Sequence, residues 1–97
     1  MTRRTPRQQT KHDKEVKRTA DSYQKRGFKV KADISGYKQP ETKEGRRPDM
    51  IAQKDGKEII VEVETRDSIK TDQAQQRAFE NYAAKHKNTK FRTKIAK

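Results

Sequence analysis

Hydrophobic residues are sparse along this chain, but where they occur they keep clear periods. Val16, Ala20 and Tyr23 recur at helical spacing, with Thr10 ahead of them and Gly27 behind. A helix is expected from about Lys11 to Arg26, with Thr10 as its N-cap and Gly27 as its stop. Phe28, Val30, Ala32 and Ile34 then alternate with Lys29, Lys31 and Asp33, the period of a half-buried strand. Gly36 to Arg47 holds two glycines, one proline and no apolar run, and reads as a long loop, a candidate for contact with substrate. Met50, Ile51 and Ala52 make a second strand, and Ile59 to Val63 a third. Asp55-Gly56 between them suits a two-residue type I′ turn, which needs positive φ at both positions. A second helix is expected from about Asp72 to His86, with Ala74, Ala78 and Tyr82 on one side and Phe79 and Ala83 adjacent. A last strand, Phe91 to Ala96, alternates Phe91, Thr93 and Ile95. The order is helix, strand, strand, strand, helix, strand.

Composition limits what these elements can build. Ninety-seven residues suffice for one domain, and 27% apolar content gives it a small core. With no cysteine, neither a disulfide nor a thiolate zinc site can support it. Support from a bound ligand or a partner subunit is therefore expected. Twenty-six Lys and Arg against 14 Asp and Glu leave a net charge of +12, which attracts polyanions. Nucleic acid fits better than a membrane surface, because no basic helix carries large apolar residues opposite its charges. No apolar run follows the basic N-terminus and none is long enough to span a bilayer, so a cytoplasmic protein is expected. Residues 1–10 read as a basic arm, with Arg3 and Arg4 able to lie along phosphates, and residues 11–97 as a single domain. A charged fraction of 41% would also suit a disordered chain. The patterned middle of the sequence argues against that.

The hairpin carries the informative chemistry. With Asp55 and Gly56 as its loop, Lys54 faces Lys57 and the pairing continues Gln53–Glu58, Ala52–Ile59, Ile51–Ile60 and Met50–Val61. The next pair is Asp49–Glu62. Alternation places Asp49, Glu62 and Glu64 on one face, and Pro48, Met50, Ala52, Ile59, Val61 and Val63 on an apolar one. Opposed side chains stand roughly 4.5–5.5 Å apart at Cβ. Carboxylates that close repel, and each raises the other's pKa. A divalent cation removes the conflict, and clustered hard oxygens suit Mg²⁺ or Mn²⁺. The plainer alternative makes Glu62 and Glu64 the solvent face of an alternating strand. Asp49 in register, within so basic a chain, favours the cation.

Pro48-Asp49, a hairpin and then Glu62-Val63-Glu64 resemble the PD-(D/E)XK nuclease superfamily, whose fold is also called restriction-endonuclease-like. The resemblance spans roughly residues 11–96, and in compactness the chain is similar to archaeal Holliday junction resolvases. It implies an α/β (α+β) core with a mixed sheet flanked by helices. It also implies that Asp49, Glu62 and the backbone carbonyl of Val63 are metal ligands. Glu64 stands where the family usually has lysine, and there it could accept a proton or ligate a second metal. Glu15 resembles the acid on the first helix of many members, although a solvated helix glutamate fits it equally. Gln73, Gln76 and Tyr82 are candidate counterparts of the family's helix-borne Gln and Tyr, with Tyr82 weighted as core.

Arg66 and Lys70 are placed to meet a phosphate, as are Arg46 and Arg47 in the loop. The implied activity is an Mg²⁺- or Mn²⁺-dependent endonuclease that hydrolyses DNA phosphodiester bonds. A homodimer would let it cut two strands. The alternative is an inactive nucleic-acid-binding protein on the same fold, and sequence does not separate DNA from RNA. His12 and His86 are expected at the surface.

Overall fold

A computed structural model of the chain describes residues 6–66, 68 and 72–96. The order of elements is the expected one: α1 (Pro6–Lys25), β1 (Lys29–Ala32), β2 (Met50–Lys54), β3 (Lys57–Glu64), α2 (Gln73–Lys85) and β4 (Thr89–Ile95).

α1 begins at Pro6, five residues ahead of Lys11. A proline has no N–H to leave unsatisfied and its fixed φ suits a first turn. Thr10 lies inside the helix, its Oγ1 donating to the Pro6 carbonyl at 2.9 Å, and is not the cap. The other end follows expectation. Gly27 has φ +90°, its N–H reaches Gln24 O at 3.0 Å, and Phe28 N–H reaches Tyr23 O at 3.1 Å. These two bonds form a Schellman motif, in which the glycine adopts the left-handed conformation that ends the helix. The Phe28 ring then packs edge-on against Tyr23, with centroids 5.1 Å apart.

The sheet runs β1-β2-β3-β4, antiparallel across its first three strands and parallel between β3 and β4. β2 and β3 pair from Lys54↔Lys57 to Met50↔Val61, the register that the turn dictates. Asp55 and Gly56 have φ of 53° and 78°, as a type I′ turn requires. One sheet face packs on α1 through Ala32, Met50, Ala52, Val61 and Val63, against Val16, Ala20 and Tyr23.

The opposite face is also buried, and here the solvent-face alternative for Glu62 and Glu64 fails. Ile51, Ile60 and Phe79 of α2 are almost wholly covered, and Glu62 and Glu64 are 1% and 0% exposed. Phe79 meets Phe91 of β4 with ring centroids 6.1 Å apart. Ile95, expected to point inward, is 37% exposed. The loop before β2 is held by its own contacts. Pro40 is buried, Lys43 and Arg46 exchange backbone hydrogen bonds, and Lys43 Nζ lies 3.3 Å from Tyr82 Oη and 3.5 Å from Glu58. Tyr82 is accordingly half-buried in a polar contact and not a core residue. Among the described residues, no helix is long and apolar enough to cross a membrane.

Candidate active site

The site forms at the start of β2, where β3 runs three residues past the Met50↔Val61 pair. Asp49 precedes the strand, yet its carbonyl still accepts from Asp33 N–H at 2.9 Å. Its side chain takes the place that another β2 residue would occupy: Oδ2 accepts the Val63 N–H at 2.8 Å. The N–H and C=O of one strand residue point to the same side, so the Val63 carbonyl also faces Asp49. Asp49 lies one step beyond the Met50↔Val61 pair and so beside Glu62, and the two carboxyls act strongly on each other's charge.

Two groups from the helices hold this pair. His12 of α1 places Nε2 3.1 Å from Asp49 Oδ2, while its Nδ1 lies 3.1 Å from Asp13 Oδ1. Gln75 of α2 donates to Glu62 Oε1 at 3.2 Å. The electrostatics of the two acids diverge. Burial raises Asp49, but the adjacent His12 imidazole and the Val63 N–H outweigh it and bring its carboxyl below the usual range. Burial first, then the Asp49 charge, push Glu62 up to about 10. At neutral pH the pair therefore shares one proton.

Glu64, two residues on along β3, has a partner of its own. Its Oε2 accepts from Ser68 Oγ at 2.5 Å. Ser68 is locked in turn to Thr65 by reciprocal bonds, Thr65 N–H to Ser68 Oγ at 2.8 Å and Ser68 N–H to Thr65 Oγ1 at 3.1 Å. That reciprocity is capping-box geometry with serine in place of glutamate. Glu15 is buried on α1, but its oxygens accept from Arg18 at 2.7 Å and Thr19 at 3.2 Å, both on its own helix. Among the described residues, no three His, Asp or Glu side chains converge on one point. Asp49 and Glu62 are thus the close pair on that face, while Glu64 bonds Ser68 and its charge still raises Glu62.

Asp49, Glu62 and the Val63 carbonyl nonetheless offer a hard-oxygen set suited to Mg²⁺ or Mn²⁺. A cation there would remove the repulsion that raises Glu62.

Arg46 and Arg66 are exposed on the segments that flank the acids. Arg47 Nη1 donates to the Pro40 carbonyl at 2.5 Å and so secures the loop. Arg3, Arg4 and Lys70 lie outside the described residues. Sequence reasoning missed two residues. His12 was expected at the surface and is 4% exposed, because α1 starts early enough to continue its buried stripe, Val16, Ala20 and Tyr23, by one more turn. Gln75, not Gln73 or Gln76, meets Glu62. His86 is exposed, as expected.

Searches of the curated proteins and of the solved structures return no match. A family model described as REase_AHJR-like does match, over residues 4–96. A helix-led mixed sheet that presents paired acids beside the start of β2 accords with that match, and the chain belongs to this restriction-endonuclease-like family.

Proposed function

We propose that this protein is a divalent-metal-dependent nuclease that hydrolyses DNA phosphodiester bonds, with Asp49 and Glu62 as its metal ligands. Family membership points to nuclease activity, and restriction-endonuclease-like nucleases generally use divalent metals. The observation that carries the reading is the buried Asp49–Glu62 pair, held from both sides by the helices. A chain of net charge +12 has no structural need to bury two adjacent carboxyls.

A bound Mg²⁺ or Mn²⁺ would stabilise charge on the phosphate and make a water more acidic. The chain's own groups prepare that position. His12 Nε2 and the Val63 N–H both address Asp49 Oδ2 and fix the plane of its carboxylate. Gln75 orients Glu62. The Val63 carbonyl adds a neutral oxygen beside them. Glu64, buried against Ser68, supports β3 and the turn after it. Arg46 and Arg66 are assigned to the phosphate backbone, with Arg3, Arg4 and Lys70 in the same role.

Cleavage of labelled duplex, single-stranded and four-way-junction DNA, and of RNA, tests this directly. Cutting is expected with Mg²⁺ or Mn²⁺ and none with a chelator. Salt-sensitive binding without turnover in either metal would overturn it. That result would support the second reading, an inactive binding protein whose buried Glu64 replaces the family's lysine. His12 adds a milder prediction. Outer-shell partners of a metal ligand typically contribute about 10–100-fold in affinity, so His12→Ala should weaken Mg²⁺ binding by about that factor in calorimetry. Unchanged affinity would mean that His12 does not position Asp49.

A further inference from the structure

A second basic feature lies away from the carboxylate pair. α1 and the edge strand β4 border a groove of roughly 260 Å³. It is lined by Thr19, Ser22, Tyr23 and Arg26 of α1 and by Arg92 and Lys94 of β4, with no acid on its walls.

The two guanidiniums are organised around one buried ring. Arg26 Cζ stands 4.2 Å from the Tyr23 centroid, and Arg92 Nη1 donates to the Tyr23 hydroxyl at 3.0 Å. An aromatic face attracts a guanidinium without neutralising it and leaves its N–H edges available for bidentate bonds to phosphate oxygens. Arg92 uses one donor of five. Several cations elsewhere are offset by acids, Lys17 by Asp21, Arg18 by Glu15, Lys31 by Glu41 and Lys43 by Glu58, whereas others stand alone on convex surface. Among the described residues, Arg26, Arg92 and Lys94 pair with no carboxylate. Their charge is concentrated in a concave surface that also offers the Thr19 and Ser22 hydroxyls.

We propose that this groove is a second phosphate-backbone site, holding a nucleic-acid segment other than the one at Asp49 and Glu62. Lys94 is the register partner of Val63 and Arg92 that of Val61, so both cations stand on the α1 side of the sheet. Glu62 and its Gln75 contact lie on the α2 side. One straight backbone segment cannot follow both faces. A ligand that engages both either bends round the edge of β4 or presents two segments. Only the ligand class, nucleic acid, rests on the nuclease reading.

Anisotropy of labelled duplex DNA in chelator, across a salt series, tests the groove without cleavage. The R26Q/R92Q/K94Q variant is expected to bind at least about tenfold more weakly, with a salt slope shallower by about 3, near one per lost phosphate contact. A K14Q/K25Q/K57Q variant loses the same charge from exposed positions outside the groove and should change far less. Arg92→Gln also disturbs Tyr23, so Ser22→Glu provides a variant that needs no core change. Glutamate is at least as good a helix former as serine, and here it sets a carboxylate in the groove, so weakening of several-fold is expected. Equal losses in both triple variants, or Ser22→Glu binding like the unaltered protein, would overturn the proposal. So would equal groove dependence for anionic vesicles. Groove-dependent binding by a protein that never cleaves would overturn the nuclease reading alone, whereas cleavage and binding indifferent to the groove would overturn this site alone.

Discussion

Asp49→Asn is expected to lower metal-dependent cleavage by about a thousandfold or more, roughly 4 kcal/mol of barrier, while leaving the protein folded. Asparagine is nearly the same shape. Its side-chain oxygen can still accept the Val63 N–H, which Asp49 Oδ2 accepts at 2.8 Å, so the junction between β2 and β3 keeps its closure. What disappears is the negative charge that faces His12 and would face a cation. Asp49→Ala would remove the acceptor as well and strand a backbone donor, at about 1–3 kcal/mol, so its activity loss would be mixed with a folding defect. The isosteric change separates the two effects. Rates measured on the preferred DNA substrate, beside urea unfolding of the same samples, provide the check. Full metal-dependent cleavage by a folded Asp49→Asn protein would remove Asp49 from the site, and the proposed ligand set with it.

How far this site can be read from the chain depends on which interactions are local. The hairpin register was legible because Asp55-Gly56 admits one tight turn, and a turn fixes pairing residue by residue as far as Met50↔Val61. Asp49 beside Glu62 follows from extending that register by one step. The burial of Glu62 does not follow, because it depends on α2 packing over the second face of the sheet, which the turn does not dictate. Helix phase explains the errors on α1 and α2. Each residue turns the helix by about 100°, so choosing Gln73 or Gln76 in place of Gln75 reverses which glutamine points at the sheet. His12 lies four residues before Val16, on the stripe already recognised. Carrying that stripe back one turn from Val16, within the helix already expected, would have found it. Thr65-x-x-Ser68 was a readable capping pattern of unusual composition, and it supplies the hydroxyl that bonds Glu64.

Glu62→Gln should stabilise the metal-free protein by about 3 kcal/mol at pH 7. In the unfolded chain Glu62 ionises near 4.5, whereas burial and then the Asp49 charge raise it to about 10 in the fold. Between these values the folded state binds one more proton than the unfolded state. The stability contributed by that carboxyl is therefore complete below pH 4.5 and is lost as pH rises toward 10. The interval from 4.5 to 7, at about 1.4 kcal/mol per pH unit, gives the expected figure, and any folded value above 7 gives the same cost at pH 7.

Glutamine donates a hydrogen bond to Asp49 without taking up a proton, so its variant lacks this slope. Asp49 acts at the other end of the scale. Its lowered pKa contributes stability that is present above the ordinary 3.8 and lost on acidification, outside the window that Glu62 controls. Urea midpoints in chelator at pH 5, 7 and 9 should nearly coincide at pH 5 and separate progressively, with the glutamine variant the more stable. Mg²⁺ should narrow the gap by stabilising only the unaltered protein, since binding to the native state alone raises stability. Coincident midpoints at all three pH values would mean that Glu62 is ionised and unstrained, and that the pair holds no shared proton for a cation to replace.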